Sequence, residues 1–532
     1  MTDADAVKRQ RLALQASLDA QKTRADRNRL GQFATPTALA RDMLRYAATL
    51  LPPGEPIRFL DPAIGTGAFF SALRTRYPDE RVESAVGYDF DPHYAAPAMA
   101  LWAGSGLDYR LGDFTAATPD ARANLLICNP PYVRHHHVSA EDKARLRLAT
   151  VRAVGAKFAG LSGLYCYFMA LAHPWMAKDG VAGWLIPSEF MNVNYGQAVK
   201  RHLLDRVTLL HVHRFDPGDV QFADALVSSA IVWFRNSLPP ADHHVRFTFG
   251  GSLQVPHQQR FVPAATLARE GKWTRFPAAP ISDVADPDPA GPSGPVVSDF
   301  FRIRRGIATG DNSFFILSED EIARRALPIE AFRPILPSPR YVDQQVIEAD
   351  DAGVPVNVRR LFLLDPRLPE DEIAAHYPAL SRYLDEGREK ALHERYLCRH
   401  RARWYDQETR APAPIVCTYL GRADAKSGRP FRFIRNKTSA TVANVYLAMY
   451  PLPAFQRAID DDPALIDAAW AVLNGIPADA LLGESRVYGG GLHKLEPKEL
   501  ATVPVPALAA MVRGDARGDR QADMLHLSEA AT

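Results

Sequence analysis

Over residues 1–236 the apolar positions fall into short continuous runs, separated by longer stretches of helical spacing. Residues 57–60, 82–88, 107–111 and 125–128 are such runs, each ending in Asp, Gly or Asn-Pro. Continuous rather than alternating apolarity predicts strands covered on both faces. Between them, residues 38–44 read as a helix with Thr35 or Thr37 available as its cap. The same rhythm continues with a helix over 165–178, a strand over 181–186, a helix over 195–204, a strand over 207–212 and a long strand reaching Phe234. Strands alternating with helices predict an α/β domain built on a mainly parallel sheet. Beyond Asn236 the rhythm stops. A stretch rich in Pro, residues 286–295, reads as a linker or long loop, and mixed α+β character without repeats follows.

The ends of the runs carry the chemistry. Strand 57–60 leads into Asp61-Pro62-Ala63-Ile64-Gly65-Thr66-Gly67, where glycines let backbone amides approach a ligand at a helix N-terminus. The third glycine of the dinucleotide fingerprint is missing, which disfavours a pyrophosphate and suits a ligand without phosphates. Asp89 ends the second strand, about 20 residues beyond the glycine loop, where this architecture binds ribose hydroxyls. Gly112-Asp113-Phe114 ends the third and offers a carboxylate for a base amine and a ring to pack on it. The fourth ends in Asn129-Pro130-Pro131-Tyr132. Pro130 biases Asn129 towards an extended backbone. A carboxamide and nearby carbonyls can then accept both hydrogens of an exocyclic amine, with Tyr132 as a flat face for its ring. A buried strand ending in a Pro-Pro turn is the plainer account of the same four residues.

Composition narrows the class. With 532 residues, 47% hydrophobic and 23% charged, the chain predicts at least two ordinary globular domains. The net charge of +2 means that a polyanion would need a local basic surface. Residues 393–437 supply one, with 11 Lys/Arg against 4 Asp/Glu, interleaved with Trp404, Tyr405, Tyr419, Phe431 and Phe433. The four cysteines form no CxxC pair, which argues against a disulfide framework or a zinc module. No apolar run approaches the ~20 residues needed to span a bilayer, so no membrane is expected and the location is cytoplasmic. Three adjacent histidines, His135 to His137, point apart in an extended chain, and no metal is assigned.

The ordered set of Gly31-Gln32-Phe33-Ala34-Thr35-Pro36, the glycine loop, Asp89, Asp113, the Asn129 corner and Phe222 before the last strand resembles the gamma-class (TaqI-type) adenine-N6 DNA methyltransferases of type II restriction-modification systems. The resemblance covers about residues 25 to 236. It implies a Rossmann-like S-adenosylmethionine-dependent catalytic domain followed by a target-recognition domain. It implies that Thr35 and Asp61 bind the methionine part of S-adenosyl-L-methionine, that Ala63, Gly65 and Gly67 shape its loop, and that Asp89 holds its ribose. Asp113 and Phe114 would hold the cofactor adenine. Asn129 and the Pro130 carbonyl would accept the N6 hydrogens of a flipped adenine, Tyr132 would stack on it, and Phe222 would support its other side. The expected partners are double-stranded DNA and a separate cognate restriction endonuclease, with the enzyme a monomer.

The expected organisation is therefore a basic helical arm over 1–30, the catalytic domain over 31–245, the recognition domain over 246–510 and a disordered tail over 511–532. Competing readings keep the Asn129 chemistry but change the amine to cytosine N4, a base in RNA or a protein glutamine. A non-enzymatic DNA-binding protein on the same fold is a further alternative, against which the intact Asn129, Asp89 and Asp113 weigh. Arg304, Arg305, Asn312, Arg432 and Asn436 are candidates for reading DNA bases.

Overall fold

The computed structural model describes residues 3–513, apart from residues 121, 159–161, 193, 217–227, 278–293, 423, 425–427 and 489–491. The chain divides into two compact units, Met1–Ser282 with Val487–Gly491, and Asp283–Arg486 with Leu492–Thr532.

The first unit opens with α1 (Asp3–Ala20), α2 (Arg24–Leu30) and α3 (Thr37–Leu50). Then come β1 (Ile57–Asp61), α4 (Ala68–Arg76), β2 (Val82–Asp89), α5 (Pro92–Leu101), β3 (Leu107–Leu111) and β4 (Ala123–Cys128). They are followed by α6 (Ala140–Val154), α7 (Leu164–Ala172), β5 (Met176–Pro187), α8 (Gln197–Asp205), β6 (Thr208–Arg214), β7 (Ser229–Arg235), β8 (His244–Gly251) and β9 (Pro256–Pro263). Among the described residues these strands form one nine-stranded sheet in the order β3-β2-β1-β4-β5-β7-β6-β8-β9. Strands β1 to β5 pair in parallel, and β7 runs antiparallel to both β5 and β6. All six residues of β4 are buried, and Leu125 to Cys128 read as a continuous apolar run because both faces are covered, while the buried Asn124 accepts from Arg58 N and donates to Pro56 O. Alternate residues feed opposite cores. Leu126 and Cys128 pack with Tyr165, Phe168 and Leu203, while Leu125 and Ile127 pack with Leu39, Met43 and Phe70.

Strand order reverses between β1 and β4. The chain leaves β1 outward through β2 and β3 and returns to β4 on β1's other side, the topology that opens a crevice at the strands' carboxyl ends.

Two expected boundaries move. Residue 245 lies inside β8, and β8 and β9 extend the nine-stranded sheet. In β9 only Val262 is fully buried, as befits an edge strand, so its polar sequence hides it from any search for apolar runs. The segment 1–30 is not a free arm either: α1 packs on α4 and α5, with Leu18 6% and Arg11 2% exposed.

The second unit is α+β. Its strands include β10 (Phe301–Arg305), β11 (Ile316–Ser318), β12 (Phe332–Ile335), β13 (Val346–Ile347), β14 (Leu361–Leu364), β15 (Ile415–Thr418), β16 (Leu420–Arg422), β17 (Phe433–Asn436) and β18 (Tyr446–Pro451). One sheet has the order β10-β18-β15-β17-β13 and another β11-β14-β12. The aromatics interleaved with the basic run are core rather than free stacking faces: Tyr405 and Phe433 are 0% exposed, Tyr419 and Phe431 1%, and Trp404 9%. Spacing alone could not separate the two roles, since the residues belong to strands and turns that bury them. Of the expected tail, Met511 lies within a helix over Pro506–Arg513 and packs on the core, and residues 514–532 lie outside the described residues.

Candidate active site

A cavity of about 600 Å³ opens at the carboxyl ends of β1 to β4, as the strand order requires. Ala63, Gly65, Asp89, Asp113, Phe114, Asn129 and Pro131 all line it. Residues scattered over 69 positions of sequence therefore meet because four parallel strands end on one edge.

The glycine loop is held from inside. Tyr109 donates its hydroxyl to Gly65 O at 2.7 Å and Trp102 Nε1 donates to Thr66 O at 3.0 Å. Gly67 has φ +84°, and a Cβ there would lie 2.5 Å from Trp102 Nε1, so no larger residue fits. Asp89 accepts the N–H of Gly65 at 3.0 Å on one oxygen and the N–H of Asp91 at 2.7 Å on the other. Asp61 is 1% exposed and accepts the N–H of Ala63 at 3.1 Å. Burial pushes the Asp61 carboxyl up to about 8, and the nearby Asp89 adds to it. Burial likewise raises Asp89 to about 6, partly offset by its two backbone N–H bonds. Asp89 lines this end of the cavity and is half-buried, while Asp61 is buried at the end of β1 and does not line it; neither acid forms an ion pair among the described residues.

Asp113 caps the short helical turn Phe114–Ala116, accepting from Thr115 N at 2.8 Å and Thr115 Oγ1 at 2.6 Å. Its second oxygen accepts from Arg145 Nη2 of α6 at 3.0 Å, a partner no sequence motif announces. Phe114 is 2% exposed and stacks on Phe168, with centroids 5.8 Å apart. Phe90 was also missed. It is 76% exposed, lies between Asp89 and Asp91 and lines the cavity. An aromatic ring between two acids at a strand end was the available signal.

At the other end stands Asn129. Its Nδ2 donates to Phe33 O at 2.9 Å and to Thr35 Oγ1 at 3.1 Å. A backbone carbonyl can only accept, so the amide nitrogen must face Phe33 and the oxygen must face away. Oδ1 is buried and has no hydrogen-bond partner among the described residues. The segment that turns the amide is docked on the corner: Tyr132 N donates to Gly31 O at 3.1 Å. Gly31 has φ +65°, and a Cβ there would lie 2.3 Å from Tyr132 N. Tyr132 itself differs from expectation. Its hydroxyl donates to Leu185 O at 3.0 Å and the residue is 8% exposed, so it faces the core, while Phe33, centroid 5.6 Å away, lines the cavity. Phe222 lies outside the described residues.

Comparison with known proteins bears on both units. The model of the Eco57I restriction-modification methylase matches residues 117–221, which include the Asn129 corner, and that of the C-terminal domain of the type II methyltransferase M.Eco57I matches residues 290–528. The type II methyltransferase M.XamI of Xanthomonas campestris pv. amaranthicola is 28% identical over 489 residues, covering 90% of this chain and 86% of that protein. Along most of its length the chain is similar to methyltransferases of type II restriction-modification systems.

The type II methyltransferase M.AccI of Acinetobacter calcoaceticus is 24% identical, over 89% of this chain and 85% of that protein. The structure of the type IIL restriction-modification enzyme MmeI in complex with DNA matches with a TM-score of 0.50 at 11% identity, over 88% of this chain and 63% of that chain, a likeness of fold. Among the recognition candidates, Asn436 is 3% exposed and is used up locally. Its Nδ2 donates to Ala413 O and Ala440 O, and its Oδ1 accepts from Thr438, so it holds a turn rather than facing a base. Arg432 donates to Pro339 O at 2.8 Å, while Arg304 and Arg305 are exposed on β10 and Asn312 is exposed. No described helix is long and apolar enough to cross a membrane.

Proposed function

We propose that the protein transfers a methyl group from S-adenosyl-L-methionine to N6 of an adenine turned out of double-stranded DNA. It would act as the modification enzyme of a type II system whose cleavage resides in a separate endonuclease. The observation that carries this reading is the Asn129 amide, held by Phe33 O and Thr35 Oγ1 so that its buried Oδ1 lacks a donor. An unsatisfied buried carbonyl costs about 1–3 kcal/mol, which an incoming amine would relieve. Oδ1 and the Pro130 carbonyl would take the two N6 hydrogens and draw the nitrogen lone pair out of the ring. No strong base is needed, because the proton can leave after the nitrogen has become cationic.

The opposite end fits the cofactor by the chemistry of its donors. A buried carboxyl, Asp61, and a half-buried one, Asp89, both with raised pKa values, suit a ligand that brings cationic groups and hydroxyls. The cofactor supplies an electrophilic methyl group on a sulfonium. Asp61 and Thr35 would hold its methionine part, Ala63, Gly65 and Gly67 would shape the backbone around it, and Asp89 would take the ribose hydroxyls. Asp113, fixed by Arg145, and Phe114 would hold its adenine, with the exposed ring of Phe90 beside them. Phe33, backed by Tyr132, would offer the face for the target base. The protein would act as a cytoplasmic monomer.

The test is to incubate protein and unmodified DNA with tritium-labelled S-adenosylmethionine and identify the labelled nucleoside, with Asn129→Ala in parallel. Label in N6-methyladenosine that disappears in the variant is the expected result. Label in N4-methylcytosine would overturn the choice of base, and no label in DNA would overturn the substrate.

A further inference from the structure

The cavity is also walled by residues outside every motif at the strand ends. Gln15, Asp19 and Lys22 line it, from α1 and the turn after it, and they precede both segments matched by the family models. A helix that merely covered an apolar face would do so with leucines. This one buries Leu18 but also sends polar groups to the loops at the strand ends, while Leu12 stays 42% exposed.

Three ties are present. Lys22 Nζ forms an ion pair with Asp91 and donates to Gln32 Oε1 at 3.0 Å, and Gln32 Nε2 donates to the same Asp91 oxygen at 2.6 Å. The other Asp91 oxygen accepts the N–H of His93 at 3.0 Å and starts α5. The main-chain N–H of Asp91 donates to Asp89 Oδ1 at 2.7 Å. In the second tie, Thr66, between the two glycines, donates to Gln15 Oε1 at 2.5 Å and accepts from Arg11 at 3.3 Å. In the third, Tyr94 donates to Asp19 at 2.9 Å, and Lys22 lies 4.8 Å from the centroid of the Tyr94 ring.

The Lys22 and Asp91 side chains are each 16% exposed, so neither charge is well served by water. Removing the lysine would leave Asp91 as a third carboxylate beside Asp61 and Asp89, without the partner that fixes its loop.

We propose that Lys22 is a positioning residue for the cofactor: with Gln32 it fixes Asp91, whose backbone N–H fixes Asp89, which makes the N-terminal helices part of the cofactor site. This rests on the cofactor reading above. The same Gln32 leads directly into Phe33, whose carbonyl orients Asn129, so the strap also reaches the amine corner along the chain.

The experiment compares Lys22→Met and Lys22→Arg with the wild-type chain. Calorimetry would measure binding of S-adenosylmethionine and of S-adenosylhomocysteine, alongside steady-state kinetics and thermal unfolding. S-adenosylhomocysteine keeps the ribose but lacks the sulfonium charge, so it separates loop positioning from a simple change of local potential. For Lys22→Met, binding of S-adenosylhomocysteine should weaken about tenfold, the equivalent of about one lost ion pair in a half-buried site. KM for the cofactor should rise in parallel while kcat falls less than about threefold, and Lys22→Arg should restore most of the affinity. Unchanged S-adenosylhomocysteine affinity, with or without a lower melting temperature, would overturn the inference. So would a loss confined to kcat, or equal losses in the Met and Arg variants. Wild-type protein that binds neither ligand would overturn the cofactor reading itself, and this inference with it.

Discussion

The two ends of the cavity work on different physical terms. The acidic end, Asp61 and Asp89, is defined by charge in a place that disfavours it: burial pushes both carboxyls up, and backbone N–H groups hold them. The amide end is neutral and defined by orientation alone, since Asn129 has no charge to tune and its Oδ1 faces away only because Nδ2 is held. The contrast teaches that cofactor binding should respond to pH and charge, and the amine chemistry to small displacements.

The largest expected effect falls at the amide end. Asn129→Ala should lower kcat about 10³-fold, the size of one lost transition-state hydrogen-bonding group, with cofactor affinity within about twofold of wild type in calorimetry. Loss of cofactor binding in that variant would break the comparison, because the ends would then not be separable. Next, Asp89→Asn should weaken cofactor binding about 10- to 100-fold, as a charge-assisted contact is replaced by a neutral one.

A smaller effect sharpens the charge side. In the unfolded chain both acids ionise near pH 4. Between that value and their folded values of about 6 and 8, the folded protein binds more protons than the unfolded one. Stability without ligand from these two groups should therefore fall as pH rises through that window. A cationic ligand favours the ionised pair, so its affinity should rise from pH 6 to 8 by at most about tenfold per unit, with protons released on binding. Calorimetry in two buffers of different ionisation enthalpy counts those protons, and a flat profile would show that the acids behave like the amide. The smallest effect is Thr35→Val, which removes one of the two acceptors of Nδ2 while Phe33 O remains. It should reduce kcat about fivefold, near 1 kcal/mol, without changing the pH profile of cofactor binding.

Much of the first unit was legible because its strands are covered on both faces and so appear as plain apolar runs. The runs at 57–60, 82–88 and 107–111 correspond to β1, β2 and β3 within a residue at their ends. β9 was not legible, because an edge strand carries Gln and Arg where a central one carries Val and Ile. The N-terminal helix looked like a solvated arm because its ties to the core are made by Arg11, Gln15, Asp19 and Lys22, residues that hydropathy assigns to water. The aromatics of the basic run misled for the opposite reason, since most of the residues they pack with lie far away in sequence.

From its residues alone the chain determined which loops would meet, because parallel strands in this order all end on one edge and the local motifs mark those ends. It also determined where glycine was required, at Gly31 and Gly67, although the reason is steric and three-dimensional. Only the tertiary structure decided which way the Asn129 amide points, that Tyr132 turns inward, and that Arg145 already holds Asp113. A side chain's donors and acceptors are written in its formula, but their direction is set by partners such as Phe33, 96 positions away, which only folding brings within hydrogen-bond distance.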